Sequence, residues 1–227
     1  MSPQPEELRY ERKFLIEAYS AAEVQQIIKF HPACFSEIYH ERIVNNIYFD
    51  DPGFKSYFDN IDGNTLREKV RIRWYNGLFG MVSSPVLEFK IKKGLMGYKD
   101  SFRLPAFEMN EKISKDTLTK LFASAGIPQR LLHKLNVMQP VLLNSYRRKY
   151  YISADKKFRL TVDSDLCFYR MSSVDNHFLN KQRMNVVVME LKYDMAHEAE
   201  AKEVGTDFPF AMTKNSKYLQ GIERVVF

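Results

Sequence analysis

"KVRIRWY", residues 69–75, places Lys69, Arg71, Arg73 and Tyr75 on one parity and Val70, Ile72 and Trp74 on the other. Side chains alternate across a strand, so the stretch predicts a β-strand with one apolar face and one cationic face. The apolar face needs a core beneath it. The cationic face needs an explanation, because it recurs on both sides of this segment.

Upstream, "RYERKFLIE" aligns Arg9, Glu11 and Lys13. Downstream, "VLEFKIKKG" sets Glu88, Lys90 and Lys92 against Leu87, Phe89 and Ile91, and "KDSFRL" aligns Lys99, Ser101 and Arg103. "SYRRKYY" offers Tyr146 with Arg148, though the adjacent Arg147 could be the inward base instead. "FRLTVD" aligns Arg159, Thr161 and Asp163, and "VVMELKY" sets Glu190 and Lys192 against Val187, Met189 and Leu191.

Eight strands are thus predicted, near 8–17, 41–50, 67–76, 85–93, 98–104, 140–152, 157–164 and 186–193. Helices intervene without regular alternation. Ser20 with Glu23 has capping-box spacing, Ser114 to Gly126 bounds a second helix, Pro128 opens a short third, and "HEAEAKEV" forms another. The pattern predicts an α+β domain over residues 1–227 with an antiparallel sheet or barrel.

With 34 Lys and Arg against 28 Asp and Glu, the 227-residue chain carries a net charge of +6. That balance suggests a local anionic site rather than a nucleic-acid footprint. Cys34 and Cys167 have no zinc spacing and read as small buried hydrophobes of a reducing compartment. The start, "MSPQPEELRY", is polar, and no run of about 18 apolar residues occurs, so a cytoplasmic chain without membrane insertion is expected. The five histidines are scattered, and no Ser-His-Asp constellation stands out. Tyr48, Phe49, Phe54, Tyr57 and Phe58 read as core, and "NKQRMN" (180–185) as an exposed turn.

If the sheet closes, the apolar faces pack under outer helices and the charged faces line a tunnel. Converging cations repel one another severely in a low dielectric, so water, counter-charge or a polyanion must relieve them. Arg and Lys suit phosphate oxygens. A Glu facing phosphates is tolerated when a hard divalent cation, Mg²⁺ or Mn²⁺, sits between them. The residues therefore predict a metal-dependent tunnel for a chain of phosphates.

Eight stretches, "YERKF", "VNNIYFDDPGFKSYFDN", "KVRIRWY", "LEFKIKKG", "SYRRKYY", "FRLTVDSDL", "VVMELKY" and "KNSKYLQGI", occur in the order seen in one family. Together they resemble the polyphosphate polymerase domain of the vacuolar transporter chaperone family. That domain is grouped with the triphosphate tunnel metalloenzymes, beside the CYTH adenylyl cyclases and thiamine triphosphatases. The resemblance implies a closed eight-stranded antiparallel barrel with flanking helices, and synthesis of inorganic polyphosphate from ATP. Hydrolysis of a triphosphate, or polyphosphate binding without catalysis, are the alternatives. It names no protein partner.

The resemblance also implies roles. Arg71, Arg73, Lys90, Arg148, Arg159 and Glu190 would be catalytic. Arg9, Lys13, Lys92, Arg103, Lys192, Lys214 and Lys217 would bind phosphate, with Lys214 and Lys217 on a segment closing over the tunnel. Glu190, Glu11 and Glu88 would hold Mn²⁺ or Mg²⁺. The cyclase branch opens with E-x-E-x-K, whereas this chain has R-x-E-x-K from Arg9 to Lys13, which favours the polymerase branch.

Overall fold

A computed structural model describes residues 9–93, 96–174, 176–178 and 180–227. Its strands are β1 (Arg9–Ile16), β2 (Ser36–Asp50), β3 (Leu66–Tyr75), β4 (Gly80–Val82), β5 (Val86–Lys93), β6 (Met96–Arg103), β7 (Phe107–Met109), β8 (Gln139–Ile152), β9 (Arg159–Arg170), β10 (Gln182–Met184) and β11 (Val187–Asp194). The helices are α1 (Ala21–Lys29), α2 (Lys55–Ile61), α3 (Lys115–Ala123), α4 (Gln129–Val137), α5 (Glu198–Thr206) and α6 (Lys217–Val225). The expected α+β class is what the chain adopts.

The main sheet is antiparallel, in the order β1-β11-β9-β8-β2-β3-β5-β6, with β10 beside β9; β4 and β7 pair separately. The eight strands of this path match the eight predicted. The predicted closure does not occur: among the described residues β1 and β6 are not paired, and the sheet remains open. Part of the reason lies on the edge of β1. Thr213 N–H donates to the Lys13 carbonyl at 2.8 Å, Leu15 N–H donates to Thr213 Oγ1 at 3.0 Å, and Phe14 bridges Met212. The chain just before α6 takes backbone groups that a neighbouring strand would otherwise use.

The alternation read from sequence sorts the side chains into layers. Val70, Ile72, Trp74, Leu87 and Phe89 pack beneath α3 and α4, which contribute Leu118, Leu121, Leu131 and Leu135. Phe14, Ile16, Met189 and Leu191 pack beneath α1 and α5 with Val24, Ile28 and Ala201. Ser20 and Glu23 form the expected capping box on α1. The opposite, inner faces carry the charges.

A third apolar cluster fills part of that inner side. Tyr48, Leu142, Tyr146, Phe168 and Val188 receive Tyr218 and Ile222 of α6. Gly221 permits the approach, since a Cβ there would lie 2.5 Å from Leu142 Cδ2 and 2.7 Å from Phe168 Cδ1. Buried Asp50 anchors the same end. It accepts from the N–H groups of Asp51, Ser56 and Tyr57 at 2.9, 2.9 and 3.1 Å and from the Tyr218 hydroxyl.

Other expectations change in detail. β9 runs to Arg170 rather than 164, because a bulge opposite Ser145 and Arg147 puts Asp165 in the left-handed region at φ 52°. The bulge turns parity over, so Asp163 before it and Leu166 and Phe168 after it share the inner side. Cys34 is exposed, in a turn at φ 49°, whereas Cys167 is buried. Phe58 is exposed, although Tyr48, Phe49 and Tyr57 are in the core as expected. Gln182–Met184 within "NKQRMN" is not a turn but β10, paired with β9.

Candidate active site

The inner row of β11 supplies Glu190, and cross-strand register brings Lys13 of β1 and Thr161 of β9 beside it. One position along, Lys192 lies between Glu11 and Arg159. Across the next pair, Arg148 of β8 faces Asp163 of β9. Arg148 Nε and Nη2 donate to the two Asp163 carboxylate oxygens at 2.6 and 2.7 Å, both residues being buried. Such a bidentate fork is the strong form of an Arg–carboxylate pair.

Lys217, at the start of α6, enters this cluster. Its Nζ lies 2.5 Å from Asp163 Oδ2 and 3.6 Å from Glu190 Oε1. Lys192 Nζ approaches Glu190 Oε2 at 3.2 Å and Arg148 Nη2 does so at 3.8 Å. Burial alone would raise the Glu190 carboxyl, but Lys217, Lys192, Arg148 and Lys13 hold it well below the usual range. Burial likewise opposes ionisation of Asp163, and Arg148 with Lys217 more than offsets it. Those same acids raise Lys217 against the effect of its burial.

A second acid anchors the other wall. Arg71 Nε donates to Glu88 Oε2 at 2.7 Å, Lys99 Nζ lies 3.4 Å from Oε1, and Arg73 Nη1 is 3.9 Å away. Burial opposes ionisation of Glu88, yet Arg71, Arg73 and Lys99 bring its carboxyl down to about 2. Arg73 Nε also donates to Asn46 Oδ1 at 3.2 Å, and Asn46 Nδ2 donates to Asn144 Oδ1 at 2.8 Å, which fixes the guanidinium from behind.

Between the walls the cations meet. Lys90 is accessible to solvent, although Glu11, Lys13, Arg71 and Glu190 all act on it; burial and the nearby cations lower its pKa. A side chain both surrounded and solvated lies in a concavity. Lys69 is pushed down to about 7, first by burial and then by Lys13, Lys90, Arg67 and Arg71. Its Nζ donates to Ser216 Oγ at 2.8 Å, and Lys13 Nζ donates to the Asn215 carbonyl at 3.3 Å. Residues 213–217 therefore cross from β1 to β3 along the inner side. Thr161 Oγ1, Asn144 Nδ2 and Asn215 Nδ2 are buried there without a hydrogen-bond partner among the described residues.

Strands β1, β3, β5, β8, β9 and β11 wall this basic concavity, and the VTC domain family matches residues 8–226 of the chain. The chain belongs to the VTC family. Vacuolar transporter chaperone complex subunit 2 of Saccharomyces cerevisiae is 29% identical over 163 residues, covering 59% of this chain and 19% of the yeast protein. The match thus spans less than a fifth of that relative.

Solved structures share the fold at low identity. A proposed adenylate cyclase of Bacillus halodurans matches with a TM-score of 0.52 and 16% identity, covering 97% of this chain and 98% of that one. PH1819 of Pyrococcus horikoshii matches at 0.50 and 16%, covering 95% and 99%, and a proposed adenylate cyclase of Vibrio parahaemolyticus at 0.50 and 10%, covering 93% and 97%. No helix among the described residues is long and apolar enough to cross a membrane.

In this VTC domain the residues expected to act together divide into two groups. Lys13, Glu11, Arg71, Arg73, Glu88, Lys90, Arg148, Glu190, Lys192 and Lys217 meet in the ion network just described. Arg159, Lys92, Arg103 and Lys214 are exposed, the first three on the inner parity of their strands. Arg9 opens β1, and its side chain lies outside the described residues. The Arg147 alternative is settled: Arg147 binds Glu41 at 2.8 Å and Asp165 at 3.2 Å on the surface, and Arg148 turns inward.

Asp163, Lys69 and Lys99 were absent from the expected site. Each shares its strand's inward parity with a residue that was included, so alternation alone could have added them. Glu88 lies with Arg71, Arg73 and Lys99, while Glu11 acts on Glu190 across β1 and β11. No set of three or more Asp, Glu, His or Cys among the described residues could hold a metal ion by itself.

Proposed function

We propose that the concavity binds a run of phosphates and transfers the terminal phosphoryl group of ATP to a growing polyphosphate chain. The observation that carries this reading is the cluster of Lys13, Lys69, Lys90 and Arg71, cations from three strands acting on one another around solvent-accessible space. Their mutual repulsion disfavours the empty site, and a polyanion relieves it. Family membership supports a triphosphate-related activity in general terms.

Phosphoryl transfer asks a protein mainly to position reactants and to stabilise spread charge. Arg71 and Arg73, steadied by Glu88 and Asn46, would grip non-bridging oxygens from one wall. Arg148, locked by Asp163, and Lys13 would do so from the other. The hydroxyl of Thr161 and the amides of Asn144 and Asn215 give further polar groups for the ligand. Mg²⁺ typically takes one or two carboxylates plus substrate phosphates, and Glu190 with Glu11 fits that donor set. Bound so, the ion would supply charge neutralisation at the leaving diphosphate. Glu88 serves the arginines rather than the ion.

A second reading is favoured by one contact: Lys217 already occupies the carboxylates of Asp163 and Glu190. A site held in that form would bind polyphosphate without turning it over. Incubation with ATP and Mn²⁺, followed by gel separation of the products, tests both readings. A ladder of polyphosphate supports the transferase, and free phosphate alone replaces it with a hydrolase. Tight triphosphate binding with neither product leaves a binding module, and no binding rejects every form of the proposal.

A further inference from the structure

The phosphate-binding wall does not end at Arg148. Two residues further along β8, about 7 Å away on the same face, lies Tyr150. Two residues beyond Arg73 on β3 lies Tyr75. Register pairs Arg42 of β2 with Arg148, and Tyr39 with Tyr150. The guanidinium of Arg42 sits 5.1 Å from the ring centre of Tyr39 and 5.7 Å from those of Tyr75 and Tyr150. Tyr39 and Tyr150 meet edge to face at 5.6 Å.

Three features set this group apart from ordinary surface. Residues 39 and 42 differ by an odd number and would point to opposite faces of a regular strand. Register shifts in β2 between residues 37 and 39 and between 39 and 42 bring both beside Tyr150. Bulges at sheet rims commonly re-aim side chains in this way. Next, Arg42 has no carboxylate within ion-pair distance among the described residues, unlike Arg71, Arg147 and Arg148. Finally, Tyr39 is 53% exposed and Tyr75 41% exposed, so ring surface remains open to a ligand.

We infer that Tyr39, Tyr75 and Tyr150 around Arg42 form a stacking platform for the base of a nucleoside triphosphate whose phosphates enter the basic concavity. Aromatic rings and a guanidinium plane offer stacking to any planar base without hydrogen-bond readout, so the platform selects nucleotides over inorganic triphosphate and discriminates little among bases. This inference rests on the phosphate-binding reading above and adds what holds the other end of the donor.

The test is calorimetric titration of the intact protein with ATP and, separately, with inorganic triphosphate, in the same Mg²⁺ buffer. Replacing Tyr39→Ala together with Tyr75→Ala is expected to weaken ATP about tenfold, in the range of base–aromatic stacking, and to leave triphosphate within about twofold. The double Tyr→Phe variant at these positions should keep the ATP affinity, since it keeps the rings. Equal losses for both ligands, or an unchanged ATP affinity in the alanine variant, overturn the platform. Wild-type protein that binds triphosphate at least as tightly as ATP overturns it while leaving the phosphate site standing. Protein that binds neither overturns both.

Discussion

The acids at the heart of the concavity are held in two different ways. Glu88 is clamped by Arg71, Arg73 and Lys99, all from strands flanking it in the sheet. Asp163 and Glu190 share Arg148 and also Lys217, which comes from helix α6 rather than from the sheet. The first clamp is built into strand pairing, so it forms whenever β3, β5 and β6 form. The second has its Arg148 fork and Lys192 from the sheet, but gains Lys217 only while α6 is docked. The concavity is thus built mostly by strand pairing and completed by one docked helix.

The largest effect should fall on the second cluster. Asp163→Ala strands buried Arg148 and Lys217 without their shared carboxylate, a loss of about 3–5 kcal/mol. Thermal unfolding should drop by roughly 10 °C, given about 2–4 °C per kcal/mol for a chain of this size. An unchanged midpoint would mean that the buried pairs are not held as described. Gly221→Ala should cost about 1–3 kcal/mol by forcing a methyl group onto Leu142 and Phe168. It should also speed proteolysis in the last residues before any cleavage near β3. Uniform digestion would argue against a separately docked α6.

Glu88→Gln acts on the built-in clamp and should barely move the unfolding midpoint, because Arg71, Arg73 and Lys99 retain some solvent. Losing the charge that steadies the arginines should weaken triphosphate binding, as read by calorimetry, and tighter binding would show that Glu88 competes with the anion more than it positions Arg71 and Arg73. Glu190→Gln should keep triphosphate binding and lose Mn²⁺-dependent turnover if the transferase reading holds.

The smallest effect concerns pH. Lys69 is already brought down to about 7 by burial and neighbouring cations, so above that pH the free site loses a positive charge. A bound polyanion restores it, so triphosphate affinity should be full below pH 7 and fall as pH rises through the window above it. At pH 8 binding should take up protons, visible when calorimetry is repeated in buffers of different ionisation enthalpy. Lys69→Met should abolish that uptake. The contribution to folding has a related sign: a lysine with a lowered folded pKa favours unfolding most at low pH, and that penalty lifts as pH climbs past 7.

Much of this was legible in the sequence, for a specific reason. On β1, β3, β5 and β11 the period of two is unbroken, so reading one side chain assigns the whole face, and Lys13, Arg71, Lys90 and Glu190 follow at once. β9 defeated the same reading because the left-handed residue Asp165 resets parity mid-strand, and the prediction stopped at 164. α2 went unread because its N-terminus is held by Asp50 from the preceding strand rather than by a capping residue of its own. "KNSKYLQGI" gave Lys217 as a phosphate ligand, but the apolar insertion of α6 rests on β2, β8, β9 and β11, and the edge pairing of Thr213 on contacts more than 190 residues away. No local pattern carries such information. The open sheet follows from that same segment, which is why closure was expected and not found.

Lys13 touches Asn215 across 202 positions of sequence, and Lys217 completes a cluster begun on β8. During synthesis the acids of Asp163 and Glu190 emerge first and must wait for their ammonium partner, which leaves the ribosome last among them. Until then Asp163 has Arg148 but lacks the ammonium group that it shares with Glu190. Translation that stalls or terminates between residues 190 and 217 would yield a sheet with its strands present and its centre electrostatically unfinished, a natural target for quality control.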